Sequence, residues 1–231
     1  LFSDDDMLPC DAMLHRRHLD AQRRRPGAWV SHLVVPDEVV ETPFQHYWRR
    51  RLHRGTETLA DGHEMGRSGF WFATLSIPRD VLGTHRFNPV FEGYGWQDHE
   101  LGYRLWRAGV RARFLRDAKI AHIDAVDFEV ALVKHEKLGQ AAWTFSDLHP
   151  HLDVKLWTGT HVVSRWARRG LLHGVRAKRV QRRKSSDLRD REFTVLLEHA
   201  YAVGLAKGKS QRRTLDRHGG HRGDTSSSAA P

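Results

Sequence analysis

The sequence predicts an α/β fold, a mixed sheet with flanking helices that gives way to a helical extension. Apolar, β-rich runs at 28–35, 70–77 and 111–115 alternate with stretches of helical spacing at 11–25, 97–108 and 128–142, the pattern of a layered sheet-and-helix domain. Beyond Pro150 the strand-like runs stop and the chain reads as basic helices. No stretch repeats another at a fixed period, which excludes solenoid and propeller architectures.

Taken in order, Leu1 and Phe2 read as the end of a buried strand, running into the acidic loop Asp4, Asp5, Asp6. Pro9 suits a helix start, and Met13, Leu14 and Leu19 give a helix over 11–25 that Pro26 and Gly27 end. A strand is expected over 28–35 and a helix from Thr42 and Pro43 through Phe44, Tyr47, Trp48 and Leu52. The polar stretch 55–66 reads as a loop, and 70–77 as a central strand. Pro78 leads into a short helix ending near Gly83, and 87–96 is a glycine-containing loop. Leu101, Leu105 and Ala108 lie on one face of a helix over 97–108, with Gly109 as its stop signal. Extended pieces at 111–115 and 118–122 follow, then a helix over 128–142 and another from about 190 to 205. From Lys207 onward Gly, Ser, Arg and His dominate, and disorder is expected.

The chain has 231 residues and a formal net charge of +10, which favours polyanionic partners: nucleic acid, an anionic membrane surface or phosphorylated substrates. Much of that charge lies in 165–184 and again in 207–213. Cys10 is the only cysteine, so an internal disulfide is excluded and nothing points to an oxidising compartment. No apolar run approaches the ~20 residues of a membrane span, and residues 1–10 lack the pattern of a signal peptide. The expected location is the cytoplasm.

Three stretches carry chemistry. Asp4 and Asp6, two apart, can face the same way if extended, about 7 Å apart, and so hold a hard divalent ion; the same run also serves as an acidic start for the following helix. In the block Gly93-Tyr94-Gly95-Trp96-Gln97-Asp98-His99-Glu100, the glycines let backbone approach a ligand and Asp98 opens the strongest helix. There it can act as a general base or merely complement the helix dipole. His122 ends a short extended run and is a candidate metal ligand or a structural histidine. The remaining histidines, including His18, His149 and His161, have no carboxylate or cysteine framework in the sequence and read as structural or exposed. Zinc-type Cys/His spacing, a phosphate-binding Gly-rich loop and a serine elbow are all missing.

The order of these pieces resembles the second half of family 2 inverting glycosyltransferases of the GT-A fold: a strand, Asp-x-Asp and Pro9; Ser68-Gly69 with Leu75 to Arg79; Phe87-Asn88-Pro89 through Leu105; then Ala108-Gly109 and a downstream His. It is similar also to the Gly-Trp-Gly-Gly-Glu-Asp-Asp-Glu-Leu stretch of galactosyltransferases. The likeness covers about residues 1–124, and 93–105 is its most specific part. It implies a GT-A-like, Rossmann-like sheet whose nucleotide-binding half would precede Leu1, which leaves open whether this chain is active alone. Together with the pattern of the chain, this gives an expected catalytic part over 1–150, a basic helical appendage over 151–206 and a disordered tail over 207–231.

By the same resemblance, Asp4 and Asp6 would hold Mn²⁺ or Mg²⁺ against a nucleotide-sugar diphosphate, with His122 as a third ligand. Asp98 would be the base that deprotonates an acceptor hydroxyl. Asp5, Ser68, Gly69, Gly95, Trp96 and Gln97 would contact substrate. Gln97 stands where the family often has Glu and His99 where a second acid is common, which puts acceptor contacts in question. Bacterial members act on lipid-linked or envelope glycans, so a glycan or lipid-linked acceptor and peripheral contact of the 165–184 stretch with an anionic membrane are implied. The competing readings are a metal-dependent phosphoryl transferase or hydrolase using the same carboxylates, and a non-enzymatic basic module binding nucleic acid or membrane.

Overall fold

The computed structural model describes residues 1–91, 93–165 and 174–219. One five-stranded mixed sheet is flanked by helices, in the spatial order β1-β4-β3-β5-β2. Its strands are β1 (Phe2–Ser3), β2 (Met7–Pro9), β3 (Ala28–Val34), β4 (Thr74–Ser76) and β5 (Ala112–His122). β3 and β5 run parallel, and the other pairs are antiparallel.

The long strand β3 decides the layers. Its successive side chains point to opposite faces: Trp29 packs with Leu14 and Ala21 of α1 (Leu14–Arg24), while Val30 packs with Leu101 and Leu105 of α4 (Gln97–Arg107). α2 (Pro43–His53) begins at a full capping box, Thr42 with Gln45, and Pro43 in the first turn, where its missing N–H costs nothing. A short helix, α3 (Arg79–Leu82), closes on Gly83 at φ 58°.

Three expectations change here. Pro9 pairs in β2 instead of starting a helix, and α1 begins only at Leu14. β1 is an edge strand with Leu1 half exposed, so it is not buried. The run 70–77 forms a strand only at 74–76: Phe70 and Phe72 are buried as core side chains on irregular backbone, and β3, not β4, is central. The two extended pieces at 111–122 join into the single strand β5, whose register against β3 slips between Ser31 and His32.

The later helices are longer than their sequence pattern suggests. α5 spans Phe128–Leu148 and is followed by α6 (Leu152–Thr158), α7 (Gly174–Gln181) and α8 (Asp190–Gly219). Residues 207–219, expected to be disordered, continue α8; 220–231 and 166–173, the latter including Arg168 and Arg169 of the basic stretch, lie outside the described residues. No break in packing falls at Pro150. Phe193, Leu196 and Leu197 of α8 join Phe44 of α2 and Phe128 of α5 in one cluster, and Tyr201 and Leu205 join Trp96, Tyr103 and Phe145 in another. α5 and α8 meet through glycine: a Cβ on Gly204 would stand 2.0 Å from the Glu136 carbonyl oxygen, and one on Gly139 2.2 Å from that of Tyr201. Among the described residues, no helix is long and apolar enough to cross a membrane.

Candidate functional site

The acidic run connects opposite edges of the sheet, since β1 pairs with β4 and β2 with β5. It is a turn, with the Met7 amide donating to the Asp4 carbonyl, so Asp4 and Asp6 are brought together by the turn and not by strand alternation. Backbone bonds anchor it on both sides: Asp4 N–H to Ala73 O at 3.3 Å and Ile123 N–H to Asp6 O at 3.0 Å. That second bond places the end of β5 against Asp6, where His122 Nε2 lies 3.4 Å from Asp6 Oδ2. Asp5 is exposed.

Asp98 sits in the first turn of α4, half-buried. The helix begins at Trp96, held at φ 62°, the only non-glycine with positive φ among the described residues. For a side chain that bulky, the left-handed conformation costs ~1–3 kcal/mol. What offsets it is packing: the indole is buried among Phe145, Trp157 and His99 and donates to Leu138 O at 2.9 Å. Gly95, at φ 126°, passes so close to α5 that an added Cβ would lie 3.1 Å from Leu138 Cα. Trp96 thus fixes the loop, with its indole buried and not lining the cavity described below. Gln97 accepts the Gly95 N–H at 2.8 Å and is likewise occupied in shaping the loop.

Burial, and then the negative charge of Asp4, raise the Asp98 carboxyl to about 6. Asp4 is itself raised, first by burial and then by Asp6 and Asp5. Tyr94 is raised by burial and then by Asp98. Asp98 therefore lies within electrostatic reach of both Asp4 and Tyr94. Asp4, Asp6, Tyr94 and His122 line a cavity of about 330 Å³, a volume in the range of small-ligand sites. Asp98 is not on its wall; it reaches the cavity electrostatically through Asp4 and Tyr94. Trp48, Trp71, Lys134 and His135 complete the parts of the wall that matter here.

Ser68 and Gly69 do not line this cavity. Ser68 is exposed and its carbonyl accepts the Trp71 indole N–H at 3.0 Å, while Gly69 is buried against Met65, 2.3 Å from where a Cβ would stand. Their part is to turn the chain so that Trp71 faces the cavity. Tyr94 was within the glycine-aromatic motif, while Trp71 lay in a run read only as a strand, where nothing local distinguishes a wall tryptophan from a core one. Lys134 and His135 are on α5, too far along the chain for any motif to include them.

A divalent cation is the group the resemblance implies. The donors suit one: two carboxylates close enough to repel each other, and Asp6 Oδ1 buried with no hydrogen-bond partner. Among the described residues, however, no three His, Cys, Asp or Glu side chains are gathered into a ready metal cage. His122 Nε2 faces Asp6 directly. The fit is that of an open carboxylate pair which substrate oxygens and water would complete, as Mg²⁺ sites often are.

Two histidines acquire partners the sequence did not disclose. His18 is buried between Ser76 Oγ and Ser31 Oγ, each at 2.8 Å, and burial lowers its pKa to about 4. His149 Nε2 lies 2.8 Å from Glu100, a fully buried carboxylate also held by Arg104. No family model, curated protein or solved structure matches the chain.

Proposed function

We propose that the chain is the acceptor-side part of a GT-A-like, nucleotide-sugar-dependent inverting glycosyltransferase, with Asp98 as general base. What supports the reading is the pair Asp4 and Asp6 on the wall of one cavity with the Asp98 carboxyl behind it, close enough for Asp4 to raise its pKa, since sugar transfer needs a diphosphate-holding carboxylate pair and a separate base near it. A carboxyl held at about 6 suits the base role, because a general base works best with a pKa near the operating pH.

In this reading Asp4 and Asp6 would hold Mn²⁺ or Mg²⁺, with His122 beside Asp6 as the third candidate ligand, and the ion would neutralise charge building on the leaving diphosphate. Trp71 and Tyr94 offer ring faces to the sugar and acceptor. Tyr94, between Gly93 at φ 86° and Gly95 at φ 126°, is the group that shifts to admit an acceptor hydroxyl to Asp98. The carboxylate takes the hydroxyl proton as the oxygen attacks the anomeric carbon from the face opposite the diphosphate, which inverts the configuration. A glycan or lipid-linked hydroxyl is the acceptor class.

The test is thermal unfolding of the full-length protein with nucleoside diphosphates, with and without Mn²⁺, followed by assays of transfer from nucleotide-sugars. Metal-dependent stabilisation that disappears in Asp4→Asn and Asp6→Asn but persists in Asp98→Asn, with transfer lost in all three, is expected. Equal loss of donor binding in Asp98→Asn overturns the base assignment.

A further inference from the structure

The wall of the Asp4 cavity has a second side, supplied by α5. Ala131, Lys134 and His135 reach it from one face of that helix, three and four residues apart. Burial lowers the His135 pKa, and its Nδ1 lies 2.8 Å from the Ala131 carbonyl oxygen, so the ring is held neutral with that nitrogen donating. Lys134 is then the one ammonium or guanidinium among the described residues of the wall.

Lys134 is half-buried, and among the described residues it has no acidic partner. Its ammonium lies 5.6 Å from the centre of the Tyr94 ring. Nor does it set the charge state of the acids nearby: Asp4 feels burial, Asp6, Asp5 and His122, and Asp98 feels burial and Asp4. A ring face holds an ammonium more weakly than a charged oxygen in direct hydrogen-bond contact. Leu33, Leu52 and Val126 lie on the same wall, and apolar surroundings strengthen any ionic contact made there. Lys134 is therefore stationed where an anionic ligand would draw it from the ring.

The charges on the wall indicate which anion. Asp4 and Asp6 place two negative charges there and Lys134 one positive charge, so an anion alone is repelled. A divalent ion on the carboxylate pair turns the net charge of these groups from one negative to one positive. The ligand then needs anionic oxygens on both sides of the cavity, toward the ion and toward the ammonium. A diphosphate carries its charge on two linked groups and can meet both.

We propose that Lys134 is a phosphate-binding residue of this cavity, its ammonium leaving the Tyr94 ring to hold diphosphate oxygens across from an ion on Asp4 and Asp6. The assignment rests on the transferase reading in taking those two carboxylates as the ion-holding pair. It adds a residue that no motif contains: Lys134 lies beyond the 1–124 stretch that resembles the glycosyltransferases, and it comes to the cavity only because α5 packs there.

The test is isothermal titration calorimetry of the full-length protein with inorganic pyrophosphate in Mn²⁺, and with Mn²⁺ alone. Lys134→Met should weaken pyrophosphate binding about tenfold, the loss of one hydrogen bond to a charged group, while Lys134→Arg keeps most of the affinity. Mn²⁺ alone should bind Lys134→Met no more weakly than the parent, a contrast that a general disturbance of the fold would not give. Lys137→Met, one turn along α5 and off this wall, should match the parent, and thermal unfolding confirms that the variants fold. Pyrophosphate affinity unchanged in Lys134→Met, an equal loss in Lys137→Met, a parallel loss of Mn²⁺ affinity, or no pyrophosphate binding by the parent overturns the proposal. Lys134-dependent pyrophosphate binding without transfer from any nucleotide-sugar sinks the transferase reading alone; transfer with unchanged pyrophosphate binding in Lys134→Met sinks this assignment alone.

Discussion

Replacing Gly204 by Ala tests how the helical half holds the site. In an ordinary helix interior this change stabilises by ~1 kcal/mol, because glycine has more freedom to lose. Here the new Cβ would lie 2.0 Å from the Glu136 carbonyl oxygen and 3.0 Å from Gly139 Cα, where an uncrowded carbon contact needs roughly 3.5 Å. The obstacle is backbone, so no rotamer relieves it, and α5 and α8 must separate along their seam. Overpacking of this kind costs about 3 kcal/mol at the upper end of its usual range. Less the propensity gain, the net loss is ~2 kcal/mol, or about 4–8 °C in Tm for a chain this size. The displacement also reaches the site, because α5 carries the Leu138 carbonyl that fixes Trp96. Urea unfolding followed by tryptophan fluorescence measures both effects. Gly208→Ala, whose Cβ would meet Gln140 O at 2.9 Å, should lose less. A Gly204→Ala protein as stable as the parent, or more so, would refute the close crossing.

Asp98→Asn should stabilise the fold above pH 6. Burial makes the ionised carboxylate unfavourable in the folded state, so stability falls as pH rises from the ordinary carboxylate range through about 6; after allowance for partial exposure, the variant gains ~1 kcal/mol at pH 8 and nothing below pH ~4. Asp4→Asn should lower the Asp98 pKa, read by carbon NMR titration; an unmoved value means that the two carboxyls do not share a cleft. His18 has its folded pKa pulled below the usual histidine value to about 4. The unfolded chain therefore binds the proton first, and the contribution, complete above pH ~6.5, is lost as pH falls towards 4. It amounts to up to ~3 kcal/mol, and a flat profile over that window, or one unchanged in His18→Gln, contradicts it. Glu100→Ala leaves Arg104 and His149 without their buried partner and should cost ~3–5 kcal/mol, seen as a large fall in Tm.

Much of the local structure was legible. The positions of α1, α2 and α4 followed from apolar spacing, from Thr42-Pro43 and from Gly109, because helix signals act within a few residues. The ends of α5 and α8 were not; past the expected end of α8, Gly208 is a poor helix former on its own and is favoured only by the close approach of the opposite helix. For the site, Asp4, Asp6, Asp98 and His122 could be singled out by residue type and order. Trp96 could not be told from a substrate platform, because only the packing of α5 and α6 around it shows the indole to be buried.

By itself the sequence determined most of the helix positions, the acidic loop and the glycine-aromatic-Asp loop, all consequences of interactions within a single turn or strand. Tertiary structure alone decided that Asp98 senses Asp4, that Trp71 and Tyr94 face one cavity, and that the Arg165 Nε and His161 Nδ1 atoms are buried without a hydrogen bond. Each of those depends on residues distant in the chain meeting, and the burial that raises a carboxyl or strands a guanidinium exists only once they have met.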